Sequence, residues 1–187
     1  MPTRDRRPAA AIYYATRDGQ SQRIAEHISR RLAESGVPSR PQDLRVTSPA
    51  AAELASASVI VLVAAVRYGK HLPEADRFLS AYRSLALPPP LALASVNLTA
   101  RKPAKTTATG NAYLRKVIAR HRLAPALAVA IAGRLDYRRY GWRDRQIIRF
   151  IMWMTGGPTD PETNIEYTSW EAVDEFAGRI AGLQNQS

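Results

Sequence analysis

The stretch Thr16-Arg17-Asp18-Gly19-Gln20-Ser21 joins an apolar run to the start of an amphipathic pattern. Hydroxyls at Thr16 and Ser21, with the free amides of a helix N-terminus, form a cradle for a phosphate. Gly19 permits a turn and close approach of the backbone. The loop is neither GxxxxGK[ST] nor GxGxxG, which disfavours a P-loop and a Rossmann-type dinucleotide site. Taken alone, it reads equally well as an ordinary helix cap.

A second loop, Val66-Arg67-Tyr68-Gly69-Lys70-His71, sets an aromatic beside a glycine. Such a pair can stack on a planar ring while the backbone comes close, and Arg67 can reach a ligand oxygen. The alternative is a surface loop with a half-buried tyrosine. A third loop begins Ser95-Val96-Asn97-Leu98 and continues as TARKPAKTTATGNAYLRK. Connections of that length are usually functional or disordered. Its Arg101, Lys102, Lys105, Arg115 and Lys116 suit carboxylates, unless the loop is simply a solvated basic segment. His71 is the one histidine in these loops, and a lone loop histidine is more often incidental than a base.

The elements around these loops follow from periodicity. Apolar runs at 9–15, 58–65, 91–98 and 127–133 read as strands covered on both faces, with a short, proline-bearing edge strand within 37–44. Helical patterns fall at 21–35, 49–57, 73–85, 111–122, 141–154 and 169–183. The alternation predicts an α/β fold: a doubly wound, five-stranded parallel sheet of flavodoxin-like order 2-1-3-4-5, with a long basic insertion after strand 4. Ligands of such sheets sit at the carboxyl ends of the strands, where all three loops fall. Residues 9–187 read as one domain behind a basic tail, 1–8, and residues 99–122 as the inserted loop and helix.

Composition narrows the chemistry. There is no cysteine, which excludes thiolate nucleophiles and disulfides, and His27, His71 and His121 are scattered, so no metal site is expected. The formal charge is +11; residues 97–155 hold 13 Lys and Arg against two acids, so the excess lies in that segment. It implies an anionic partner: nucleic acid, a membrane or an acidic small molecule. No stretch is long and apolar enough to span a bilayer. On a helical wheel of 144–154, Ile147, Ile148, Phe150, Ile151, Met152 and Met154 form an apolar arc, with Arg145 and Arg149 opposite and Trp153 at the boundary. This is either an interfacial membrane helix or a core helix with a rim of arginines. In the first case Trp142, Arg145, Arg149 and Trp153 would contact the membrane, with Tyr137 and Tyr140 nearer membrane or substrate.

"TRDGQ", "RYG", "SVNLTARKP", "AGRLDYRRYGWRDR" and "MTGGPTD" together resemble the bacterial quinone-dependent, flavodoxin-type protoporphyrinogen oxidases, over nearly the whole chain after residue 9. The first loop resembles the T/S-x-T-G-x-T phosphate loop of flavodoxin-like FMN proteins, with Asp18 where a threonine is usual; the departures from the oxidases are Lys70-His71-Leu72 after Tyr68-Gly69 and a short basic N-terminal extension. The resemblance implies an FMN enzyme of haem biosynthesis on the cytoplasmic face of the bacterial inner membrane. It would oxidise protoporphyrinogen IX by six electrons through flavin N5 chemistry and pass them to menaquinone or ubiquinone. FMN would be held by residues 16–21, 66–69 and 95–98, the substrate by Arg101, Lys102, Lys105 and Arg115. Arg67, Tyr68 and His71 are the candidates for a catalytic role, and the oligomeric state is open. Two other readings are a different flavodoxin-like FMN oxidoreductase, linked to quinone or NAD(P)H, and a non-catalytic nucleic-acid module. The second lacks a recognition-helix motif or an aromatic-studded sheet face, so no nucleic-acid partner is expected.

Overall fold

Strands buried on both faces need no polar side, and the apolar runs become the centre of the sheet. The structure is a computed structural model that describes residues 10–139, 141–154 and 156–184. In chain order it runs β1 (Ala11–Ala15), α1 (Gln20–Glu34), β2 (Pro41–Asp43), α2 (Ala51–Ala55), β3 (Ile60–Arg67), β4 (Lys70–His71) and α3 (Pro73–Arg83). It continues through β5 (Leu91–Val96), α4 (Ala112–Arg120), β6 (Leu127–Ile131), β7 (Arg134–Asp136), α5 (Trp142–Met154), β8 (Asn164–Glu166) and α6 (Trp170–Gln184).

The parallel strands stand in the order β2-β1-β3-β5-β6, which is the expected 2-1-3-4-5 arrangement of five core strands. Side chains of β3 alternate between two cores. Val61 and Val63 meet Ile24, Ile28 and Leu32 of α1 and Phe176 and Ile180 of α6. Ile60, Leu62 and Ala64 meet Leu54, Phe78, Leu79 and the α4 residues Leu114 and Val117.

Four features depart from the expected elements. The edge strand shrinks from 37–44 to Pro41–Asp43, with Pro41 as its first residue, where a missing N–H costs least. β4 adds a two-residue antiparallel pairing to the end of β3. A separate antiparallel ribbon, β7 with β8, follows β6. Finally, residues 99–110 are not a shapeless loop. They form 3-10 turns at Leu98–Arg101 and Pro103–Lys105, then run beside β6, where Thr107 bridges Val129 and the Ala130 N–H donates to the Thr106 carbonyl at 2.7 Å.

Asn111 fastens this segment. Its Oδ1 accepts from the N–H groups of Tyr113 and Leu114, both at 3.1 Å, and so caps α4. Its Nδ2 donates to Asn97 Oδ1 at 3.1 Å and to the Lys105 carbonyl at 2.9 Å. The predicted tail, 1–8, lies outside the described residues.

Candidate active-site cleft

A cleft of about 930 Å³, including its open mouth, lies at the carboxyl ends of β1, β3 and β5. This is the place a doubly wound sheet reserves for ligands, at the switch in strand order. Thr16, Ser21, Tyr68, Gly69, Asn97 and Ile148 are among its walls, so all three loops meet there.

Gly19 holds φ +85° before α1, a left-handed conformation, and a Cβ added there would meet nothing within 4 Å. No side chain caps α1. Its first N–H groups therefore have no partner inside the helix, and the positive end of the dipole faces the cleft. Thr16 Oγ1 accepts from the Gly19 N–H at 3.0 Å. Ser21 is 1% exposed, and its Oγ has no hydrogen-bond partner among the described residues. A buried hydroxyl without a partner costs free energy, and here it lines the cleft beside the start of α1.

The other side chains of this loop border the cleft but are engaged by neighbouring elements. Arg17 pairs with Glu74 of α3 at 2.5 Å and holds that carboxyl below its usual range, against the opposing effect of burial. Gln20 donates to Glu166 at 3.1 Å and to Thr168 at 2.9 Å. Asp18 pairs with Arg67 at 2.7 Å, while Arg139 donates to the Asp18 carbonyl at 2.9 Å. Burial raises the Asp18 pKa, and Arg67 and Arg139 oppose that rise.

Tyr68 and Gly69 both have positive φ, 50° and 77°, and link β3 to β4 through a two-residue turn of primed geometry. Glycine takes this conformation freely. A tyrosine does so at about 1–2 kcal/mol. Residues held in such conformations cluster at functional sites, and Tyr68 is 53% exposed at the cleft wall. Arg67 also binds Asp144 of α5, and the Tyr68 hydroxyl donates to the same carboxylate. One guanidinium thus ties the first loop, the second loop and the start of α5.

The third loop enters through Val96, Asn97 and Leu98. Asn97 is held from behind: its Nδ2 donates to Ser95 Oγ at 3.1 Å, and its Oδ1 accepts from the Ala100 N–H at 3.2 Å. Ser95 Oγ also meets His71 Nε2 at 2.8 Å. Burial pushes the His71 pKa down to about 4, so the ring is neutral at pH 7.

The chain matches the flavodoxin-domain family over residues 11–162. It is 36% identical over 176 residues to the Escherichia coli K12 protoporphyrinogen IX dehydrogenase [quinone], covering 94% of this chain and 96% of that protein. A Leishmania major protein of the same name is 38% identical, with 94% of this chain and 76% of the relative covered. Among solved structures, oxidised flavodoxin 1 from Bacillus cereus superposes with a TM-score of 0.53 at 15% identity, covering 95% of this chain and 97% of that one. This chain belongs to the flavodoxin-type protoporphyrinogen IX dehydrogenases.

As a member of that oxidoreductase family with a flavodoxin domain, it calls for a flavin, and the cleft fits one. The orphaned Ser21 hydroxyl and the uncapped helix suit a phosphate, and the Tyr68-Gly69 turn and residues 96–98 offer walls for a ring. Of the residues expected to hold the cofactor, Thr16, Arg17, Asp18, Gln20, Ser21, Val66, Arg67, Tyr68, Gly69, Val96, Asn97 and Leu98 line the cleft. Gly19 shapes its loop without lining it, and Ser95, fully buried, lies behind Asn97. His71 is likewise buried behind the wall, bonded to Ser95.

Among the dehydrogenase's expected substrate contacts, Arg101, Lys102, Lys105 and Arg115 do not line the cleft. Arg101 donates to the Leu98 carbonyl at 3.0 Å and Arg115 to the Thr109 carbonyl at 2.7 Å, while Lys102 and Lys105 stand exposed in the segment that borders the sheet. Tyr113, Arg134, Ile148 and Ile151 reach the cleft without having been singled out for it. Arg134 carried a signal inside the AGRLDYRRYGWRDR motif, and Ile148 and Ile151 carried one in the apolar arc of their helix, though not toward the cleft.

α5 is neither a core helix nor a cover for the sheet. Met152 is its only buried residue, packed on Leu135 and Tyr137. Arg145 and Arg149 face inward and donate to the Tyr137 and Thr159 carbonyls at 3.1 and 2.9 Å. Trp142, Ile147, Phe150, Trp153 and Met154 face outward, while Ile151 stands partly exposed at the cleft; these are six of the ten large exposed hydrophobic side chains among the described residues. Tyr137, expected near the surface, is fully buried and donates to the Pro158 carbonyl; Tyr140 lies outside the described residues.

Proposed function

We propose that the chain binds FMN and oxidises protoporphyrinogen IX to protoporphyrin IX in haem biosynthesis. Six electrons pass, two at a time, to a quinone such as menaquinone or ubiquinone. The observation that carries this reading is the cleft itself: a phosphate-ready helix end with an unpartnered Ser21 hydroxyl on one side, and Tyr68, Ile148 and Ile151 around a broad apolar opening on the other. The kinship with dehydrogenases of that name supplies the substrate class.

A flavin held there would supply two-electron redox chemistry between a carbon donor and a quinone. The protein's part is placement. Thr16, Ser21 and the amides of α1 hold the phosphate. The Tyr68-Gly69 turn and residues 96–98 flank the ring, with Asn97 kept rigid by Ser95 and Asn111. Arg67, already shared by Asp18 and Asp144, holds the first two loops together. His71 is committed to Ser95 and takes no part in proton transfer.

The outward face of α5 lies against the membrane, where both the porphyrinogen and the quinone partition. Exposed Trp142, Phe150 and Trp153, set in a basic segment, suit an interface of apolar chains and anionic headgroups. In this proposal the enzyme works on the cytoplasmic face of the inner membrane as a peripheral protein, a reading that the exposed aromatic residues of α5 support.

Anaerobic turnover decides. The FMN-loaded protein should oxidise protoporphyrinogen IX with a soluble quinone acceptor, giving porphyrin fluorescence. Reduction of the bound flavin by NADPH but not by protoporphyrinogen IX would overturn the reading.

A further inference from the structure

A second hollow adjoins the cleft and shares two of its walls, Gly69 and Tyr113. The Tyr113 ring stands against Gly69, 4.0 Å from where a Cβ would sit. Tyr113, Lys116, Val117 and Arg120 recur at helical spacing, so one stripe of α4 forms the far side of the hollow. Lys70, on β4 beside the turn, and His71 form the near side, with Asp76 at the edge.

The charges in this hollow are not balanced. Asp76 is taken twice, by Arg120 at 3.2 Å and by His121 at 2.9 Å. His71 is neutral and occupied by Ser95. Lys70 and Lys116 carry no hydrogen bond or ion pair among the described residues. Two free ammonium groups, from different elements, therefore face an apolar wall of Tyr113 and Val117 that continues into the cleft. The arginines first expected to meet the substrate are held by backbone carbonyls instead.

We propose that Lys70 and Lys116 bind the carboxylate arms of the tetrapyrrole, holding its charged edge in this hollow while its ring reaches the cleft past Tyr113. The inference rests on the tetrapyrrole reading above and adds the residues that fix the substrate's orientation. Rotatable ammonium groups suit carboxylates on flexible arms. Exposed ion pairs are individually weak, about two- to fivefold each, so the pair together should give about tenfold.

The test is binding of protoporphyrin IX and of its dimethyl ester to the FMN-loaded protein in neutral detergent, followed by tryptophan fluorescence, with KM for protoporphyrinogen IX measured alongside. The wild type should prefer the diacid about tenfold, and salt should erode that preference. The variant carrying Lys70→Gln and Lys116→Gln should bind both compounds alike, with KM raised about tenfold and FMN affinity unchanged. Retention of the diacid preference in that variant, or its loss in a Lys102→Gln, Lys105→Gln variant instead, would overturn the inference while leaving the reaction standing. A wild type that neither oxidises protoporphyrinogen IX nor binds protoporphyrin IX would overturn both.

Discussion

At the scale of single residues, a side chain's distant partners decided what its type left open. Thr16 and Ser21 were legible as candidate phosphate contacts because both lie in one six-residue loop. The partner of Asp18 was not, since Arg67 lies 49 positions along the chain and Asp144 contributes from further still. Ser21 gives a sharp prediction. Its hydroxyl is buried without a partner, so Ser21→Ala should leave the stability of the flavin-free protein unchanged or raised. The same variant should lower FMN affinity by about tenfold, the worth of one hydrogen bond to a charged group. Riboflavin, which lacks the phosphate, should bind wild type and variant alike; fluorescence titration with both flavins measures this, and an equal loss for both would remove Ser21 from the phosphate site. His71 makes a second case. Its pKa falls from 6.5 to about 4 on folding, so the unfolded chain takes up a proton over that interval and the folded chain does not. Stability should therefore drop as pH falls from about 6.5 to about 4, by about 3 kcal/mol from this group. His71→Gln, which can keep the bond to Ser95, should show a smaller drop in urea midpoint between pH 7 and pH 4.5. Parallel drops in the two proteins would show that another group sets the acid limb.

At the scale of elements, the sequence exposed what was long and periodic. The four apolar runs and the helices between them stand where they were expected, within a few residues at each end. The β7–β8 ribbon was hidden because its strands, Arg-Leu-Asp and Asn-Ile-Glu, each have one apolar residue between two polar ones. Three residues carry no usable period, and the pairing partner lies beyond a whole helix. The orientation of α5 was hidden for another reason. Its wheel separates apolar from basic residues, but nothing in that pattern tells which side meets the protein. Backbone carbonyls at Tyr137 and Thr159 claimed the arginines and turned the apolar side outward. With so little of α5 buried, its order depends on the ties at its first turn. Asp144→Asn should accelerate amide exchange across Trp142–Met154 while leaving α1 protected, as read by hydrogen-exchange mass spectrometry; unchanged protection would show that Met152 with the Arg145 and Arg149 bonds suffices. Replacing Phe150 and Trp153 with serine should reduce co-sedimentation with vesicles without lowering Tm, because both side chains are mostly exposed. A matching loss of Tm would mean that they pack within the fold.

At the scale of the molecule, charge and shape act together. The net charge of +11 is concentrated in the part of the chain that carries α4 and α5. Binding to anionic vesicles should weaken steeply between about 0.05 M and about 0.5 M salt, where screening shortens to a few ångströms. The residue left at high salt measures the apolar face of α5, and a salt-independent curve would rule out an electrostatic component. The basic segment has a mechanical side as well. Open sheets end in strands with unpaired backbone groups, which invite pairing with a second chain. Here β2 offers only three residues and begins at a proline, and the far side of β6 is occupied by Thr106 and Thr107. Both margins of the sheet are thereby blunted against a neighbour's strand. On a crowded surface this favours copies that stay apart along the main sheet, and the basic segment acts there as a hem as well as a source of charge.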